Sequence, residues 1–208
     1  MPALNMTASI PHRFRSYRAR KYQTVDCKIW EAARATSATP KLFEGIVIGE
    51  AGTSQTYVDG GMGCNNPIAQ VLAEAELVFP GQHVTCIISI GAGQAQPIAI
   101  MTPDGHTLGF DKAMQGIATD CERSAQEVEQ RFRDIRNFYF RFNVEQGMQN
   151  VGLVQWESLD QVATNTHQYI RMEEVDQRLD AAVAAVRERQ QTVATAYIGM
   201  EMHNCTLR

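Results

Sequence analysis

Apolar positions along the chain recur with two periods, one suited to strands and one to helices. Thr56, Tyr57 and Val58 form a short β-branched and aromatic run that stops at Asp59, the composition of a half-buried strand. Gly60 and Gly61 follow, offering backbone free to take positive φ. Asn66 then suits a helix N-cap and Pro67 a first helical position. Beyond them Ile68, Val71, Leu72, Ala75, Val78 and Phe79 keep the 3-4 spacing of one buried helix face. Gly81 marks its stop, and His83 to Ile90 is a nearly continuous apolar run, which predicts a strand covered on both faces. Gly91-Ala92-Gly93 closes it. The order strand, helix, buried strand predicts a βαβ unit with a right-handed crossover.

The flanks are read in the same way. Residues 27 to 35 are alanine-rich and predict a short helix with Ile29 and Ala33 inward. The small residues Thr36 to Thr39 run into Pro40, which disfavours a helical Thr39 and suggests a closely packed wall. Ile46-Val47-Ile48 is a further β-rich run. Residues 94 to 109 read as a loop. From Phe110 the apolar positions Met114, Ile117, Cys121, Ala125, Val128, Phe132 and Ile135 alternate by fours and threes, predicting an amphipathic helix of about seven turns. Phe138, Phe140, Phe142 and Val144 alternate with Tyr139, Arg141 and Asn143, a half-buried strand. A final helix is expected from about Glu173 to Tyr197, with Val175, Leu179, Val183, Val186, Val193 and Tyr197 inward.

Composition narrows the class. At 208 residues, 44% apolar and 20% charged, the chain has the make-up of a folded protein with a core. Its net charge of −4 argues against a nucleic-acid partner. One exception is local: Arg13, Arg15, Arg18, Arg20, Lys21 and Lys28 face only Asp26 between residues 12 and 28. That stretch is either a solvated basic loop or a contact for anionic lipid head groups and phosphates. Cys27, Cys64, Cys86, Cys121 and Cys205 are odd in number and widely spaced, which fits reduced thiols better than a disulfide framework or a metal site. No apolar h-region opens the chain and no run reaches the ~18 residues of a membrane span, so a cytoplasmic setting is expected.

Candidate chemistry centres on Asp59. An Asp before Gly-Gly is often only a turn former that bonds its own backbone, yet the end of a strand leading to a helix is where α/β folds place reactive groups. A nucleophile elbow, Gly-x-Ser-x-Gly, is absent from the 208 residues: Ser54 has Thr56 where the second glycine belongs, and Ser37 and Ser89 lack elbow glycines. There is no P-loop, no G-x-G-x-x-G after a strand and no H-E-x-x-H. His83 reads as structural at a strand start; His12, His106, His167 and His203 read as loop or surface residues. No cofactor or metal is expected.

Three spaced motifs then carry a resemblance. They are Trp30-Glu31-Ala32-Ala33-Arg34-Ala35-Thr36-Ser37-Ala38-Thr39-Pro40, then Tyr57-Val58-Asp59-Gly60-Gly61, then Asn65-Asn66-Pro67. In this order they resemble the patatin-like phospholipases, in particular fungal-type members with a helical tail. Ile88-Ser89-Ile90-Gly91-Ala92-Gly93 and Phe140-Arg141-Phe142-Asn143-Val144 resemble later strands of that family, so the likeness spans residues 1 to about 150. It implies an α/β fold: part of a three-layer patatin-like sheet flanked by helices over residues 1–95, and a mostly helical extension over 96–208 with one strand near 138–144. It also implies hydrolysis of lipid acyl esters by a serine–aspartate dyad, with Asp59 as proton acceptor in an Asp59-Gly60-Gly61 turn.

A carboxylate of reference pKa about 3.9 is a weaker base than an imidazole near 6.5. Such a dyad relies on a short hydrogen bond and on oxyanion stabilisation. The family's elbow and oxyanion loop lie upstream of every motif found here. The chain is therefore expected to be the C-terminal portion of such a domain, missing its N-terminal half and inactive alone, with a lipid or phospholipid ester as the family's substrate and transient contact with a membrane surface. Half a sheet with an unpaired edge is expected to be poorly soluble or oligomeric. The competing expectation is a non-catalytic interaction or regulatory module derived from the same fold.

Overall fold

A computed structural model describes residues 2–5, 11–17, 25–94, 116, 119–152 and 154–199, the first of these segments as backbone. The chain divides into two compact units, Met1–Val71 with Ile100–Cys121, and Leu72–Ala99 with Glu122–Arg208. The architecture is α/β, mixing helices with small sheets.

The first unit is built on an antiparallel sheet of order β2-β1-β4-β3, from β1 (Pro2–Asn5), β2 (Pro11–Arg13), β3 (Ile46–Ile48) and β4 (Gln55–Asp59). β3 and β4 form a hairpin whose turn holds Gly49 and Gly52 at φ 120° and 92°, backbone that side chains with a Cβ resist. In register, His12 faces Ala3 and Ala3 faces Asp59, so one row crosses β2, β1 and β4. Helix α1 (Ile29–Thr36) begins where the Glu31 carboxylate accepts the Lys28 N–H at 2.7 Å. Ala35, Ile48 and Tyr57 make the core with Phe14, Val25, Cys27 and Ile46 around them. The expected inward residues of α1 are not the buried ones: Ile29 is 91% exposed, Ala33 is exposed, and Ala35 is fully buried. The helix meets the sheet through small side chains at its C-terminal end, so the larger Ile29 at its start faces away.

After β4 comes a short kinked segment, α2 (Gly61–Cys64), in which Met62 and Gly63 leave helical angles, then α3 (Ile68–Val78), within which the unit boundary falls. Asn66 Oδ1 accepts the Ile68 N–H at 3.3 Å, the expected cap. Ile68 and Leu72 are buried, while Val71 and Phe79 of the predicted inward face are exposed.

The second unit departs from the sequence reading in its strands. His83 to Ile90 is not one strand. β5 (His83–Val84) pairs antiparallel with β8 (Val193–Ala194), and β6 (Ile87–Ile90) pairs parallel with β7 (Tyr139–Phe142). β4 and β6 lie in different sheets, which corrects the expected βαβ unit: β4 takes its neighbours from the adjacent hairpin strand and from the N-terminus. Ile88 and Ile90 are 45% and 79% exposed, so β6 is open on the face that its composition predicted to be covered.

The helical reading fares better at its centre than at its ends. α4 (Glu122–Phe132) buries Ala125, Val128 and Phe132 as predicted; Phe110, Met114 and Ile117 lie outside the described residues. Phe138, Phe140, Phe142 and Val144 are all buried, again as the alternation requires. A helix α5 (Leu159–Ile170) was not anticipated. α6 (Glu173–Glu188) stops well before Tyr197, because Arg189 adopts φ 51° and its N–H bonds Ala185 O. α7 (Thr195–Ile198) then follows β8. Val175 is buried on α6, but Val183 and Val186 are exposed and Ala182 takes the inward position; Val193 lies in β8 instead of a helix, and Tyr197 is exposed.

Candidate active site

Asp59 ends β4 half-buried, and its backbone and side chain are held separately. Its N–H donates to Ala38 O at 3.0 Å. The next residue, Thr39, donates its hydroxyl to Asp59 Oδ2 at 2.9 Å, and the Gly61 N–H donates to Oδ1 at 3.0 Å. The turn bond to Gly61 is the one expected of an Asp before Gly-Gly; the Thr39 bond comes from twenty residues upstream. Among the described residues no lysine or arginine forms an ion pair with this carboxylate.

The two glycines serve a purpose other than positive φ. Gly60 sits at φ −72°, and the left-handed residue of the turn is Gly63 at φ 101°. Gly61 leaves room: a Cβ there would stand 3.1 Å from Asp59 Oδ2, crowding the carboxylate that its N–H holds. The small-residue wall of the sequence reading is present, with Ala35 and Ala38 fully buried. What that reading missed is the bond from Thr39, which it counted in the wall, to a carboxylate twenty residues away.

The other reactive side chains lie elsewhere. The Ser37 hydroxyl donates to Ala33 O at 2.9 Å, Ser54 is exposed, and Ser89 accepts from Arg141 at 3.0 Å. Cys64, at the end of the Asp59 turn, is buried, and burial raises its thiol above the ordinary range against the opposing pull of Arg13. It is thus held as a thiol, not a thiolate. His12 is not a surface residue. Its ring packs edge-on to Phe14 and Tyr57 at 5.2 and 5.3 Å, its Nε2 is buried with no hydrogen-bond partner among the described residues, and burial, aided by Arg15, lowers its proton affinity. His83 and His167 are exposed, while His106 and His203 lie outside the described residues. In the basic stretch, Arg13 donates from Nε and NH2 to Gln70 Oε1 at 2.9 and 2.6 Å.

The second unit holds a different polar cluster. Arg141 NH2 and Asn143 Nδ2 both donate to Glu122 Oε1, at 2.7 and 2.8 Å. Asn143 Oδ1 accepts the Gly93 N–H at 2.7 Å, tying the Gly91-Ala92-Gly93 turn to β7. A Cβ on Gly91 would collide with Asn143 Oδ1 and Arg141 NH2, so a side chain there would have to displace this polar cluster. Asn143, assigned by alternation to the polar side, is buried by this bond. A groove of about 430 Å³ lies in the same unit, lined by Ala75, Val78, Phe79, His83 and Thr195 among others. Among the described residues there is no group of three or more His, Cys, Asp or Glu that would hold a metal ion, and no helix long and apolar enough to cross a membrane.

Parts of the chain are similar to known proteins. The chain is 39% identical over 67 residues to "Calcium-independent phospholipase A2-gamma" of Mus musculus, covering 32% of this chain and 8% of that protein. It is 27% identical over 151 residues to "Patatin-like protein 6" of Arabidopsis thaliana, covering 60% of this chain and 30% of the relative. With "Probable inactive patatin-like protein 9" of the same plant it shares 38% identity over 101 residues, covering 45% and 26% respectively. The matches thus span less than a third of these relatives' own length. No family model and no solved structure matches. Over these matched segments the chain is similar to patatin-like phospholipases.

Proposed function

We propose that this chain carries the carboxylate partner of a serine–aspartate lipid acyl hydrolase, with Asp59 as proton acceptor. The observation that supports it most is the way the carboxylate is held. Two neutral donors at 2.9 and 3.0 Å fix its plane, and no cation among the described residues neutralises it. Each carboxylate oxygen accepts about two hydrogen bonds, so each retains room for a second donor. A serine hydroxyl brought to one of these positions would lose its proton to Asp59 as its oxygen attacks the ester carbonyl. The proton would then pass to the leaving alcohol. On this reading the serine comes from outside the 208 residues. Residues 1–95 belong to the hydrolase domain and 96–208 to an extension, and the substrate is a carboxylic ester of a lipid, met at a cytoplasmic membrane surface through the basic stretch between residues 12 and 28.

Hydrolysis of a short p-nitrophenyl ester tests this. The 208-residue chain alone should give no turnover above buffer, and joining it to a serine-bearing N-terminal segment should restore turnover that Asp59→Asn removes. Turnover by the chain alone, lost in Asp59→Ala, overturns the proposal. A second reading, a non-catalytic module of the same fold, is favoured by the 38% identity to a relative named as inactive. It predicts no turnover in either form.

A further inference from the structure

We infer that Thr39 is the positioning residue of Asp59, fixing the direction in which the carboxylate presents its open acceptor sites; this rests on reading Asp59 as the dyad base. The terminal torsion of an aspartate is broad and nearly two-fold, so a carboxylate held at one oxygen can still swing about it. The Gly61 N–H holds Oδ1 alone. Thr39 supplies the second point, Oδ2, and it does so from a rigid seat.

That seat is visible bond by bond. The Thr39 N–H donates to Ser37 O at 2.8 Å, and its carbonyl accepts from the N–H groups of Leu42 and Phe43 at 3.0 and 2.9 Å. Pro40 restrains the Thr39 backbone from the other side. Its branched Cβ also restricts χ1. Ala38, fully buried, binds the Asp59 backbone through its carbonyl, so two consecutive residues clamp main chain and side chain together. The missing Cβ of Gly61 leaves the carboxylate clear of the turn on its remaining side. A hydroxyl and a carboxylate at 2.9 Å are also the elements of a nucleophile–base pair, but positioning predicts that the chain alone has no turnover.

The test uses Thr39→Val, which keeps the shape and removes the donor, beside Thr39→Ser, which keeps the donor. In the chain joined to its serine-bearing segment, Thr39→Val should lower kcat per titrated active site by about 10–100-fold, the scale of a misplaced catalytic group, with KM within twofold. Thr39→Ser should stay within a fewfold of the parent. In the ¹⁵N-labelled chain alone, exchange of the Gly61 amide hydrogen should quicken in Thr39→Val and not in Thr39→Ser. Parent-like kcat and Gly61 exchange in Thr39→Val overturn the inference even when Asp59→Asn is inactive. Folded Thr39→Ser falling as far as Thr39→Val overturns it too. Full activity in Asp59→Asn instead overturns the dyad reading beneath it, and turnover by the chain alone that Thr39→Val abolishes assigns the hydroxyl to attack and overturns positioning.

Discussion

Two carboxylates, one in each unit, are held in opposite ways. Glu122 meets the Arg141 guanidinium at 2.7 Å, in a pair whose side chains are 27% and 12% exposed, and Asn143 joins the same oxygen. Asp59 meets a hydroxyl and an amide N–H. A carboxylate matched by a fixed cation is neutralised in place and serves to tie elements together, here α4 to β7 and, through Asn143, to the Gly91-Ala92-Gly93 turn. Neutral donors orient a carboxylate and leave its charge unpaired by a cation. The contrast separates a carboxylate that ties elements together from one left without a cation, as the proposed role of Asp59 requires, and it can be broken at several points.

The largest effect should come from the core behind the Glu122 network. Phe132 is 2% exposed and packs edge-on to Phe138 at 4.9 Å, so Phe132→Ala should cost about 3–5 kcal/mol in urea unfolding of the chain. Next, Arg141→Ala removes the cation and leaves Glu122 half-buried with less to match it. A loss of about 3 kcal/mol is expected by the same measurement, at the low end for a broken ion pair because Glu122 keeps some water. Asp59→Asn, by contrast, should change stability by about 1 kcal/mol or less, since an amide oxygen still accepts from Thr39 or Gly61. Equal costs for Arg141→Ala and Asp59→Asn would erase the distinction between the two carboxylates.

A smaller effect concerns pH. Burial and Arg15 hold the His12 imidazole below its ordinary affinity for protons, so the unfolded chain binds that proton more tightly than the folded one. The stability His12 contributes is therefore complete above the unfolded value near 6.5 and declines as pH falls through it toward the lowered folded value. Urea midpoints at pH 7.5 and 5.5 should differ less in His12→Phe than in the parent. An unchanged difference would place the acid sensitivity elsewhere. Smallest of all, Ile90→Lys on the open face of β6 should leave the urea midpoint unmoved while reducing self-association in sedimentation, because the side chain is 79% exposed.

Local pattern was a sound guide wherever the chain decided matters within a few residues. The Asn66 cap, the alternation from Phe138 to Val144 and the inward Ala125, Val128 and Phe132 of α4 follow from period and capping chemistry alone. Asp59 was legible as a strand-end carboxylate for the same reason. The failures occur where burial depends on a partner distant in sequence. Ile29, Val71, Val183 and Val186 carry the right period, yet small residues such as Ala35 and Ala182 sit at the contacts. His12 reads as a surface residue until Phe14 and Tyr57 close on it.

The sequence by itself therefore determined the cores of α3, α4 and α6 and the strands β3, β4 and β7, that a carboxylate closes β4, and which family the motifs resemble. Tertiary structure alone decided that β4 joins an antiparallel sheet and β6 a parallel pair. It also decided that Thr39 reaches Asp59 across twenty residues and that Glu122 is answered by Arg141. The physical reason is range. Torsional preference and amphipathic period act over a turn or two of chain, whereas sheet pairing and the hydrogen bonds of a held carboxylate join residues whose separation in sequence carries no trace of their meeting.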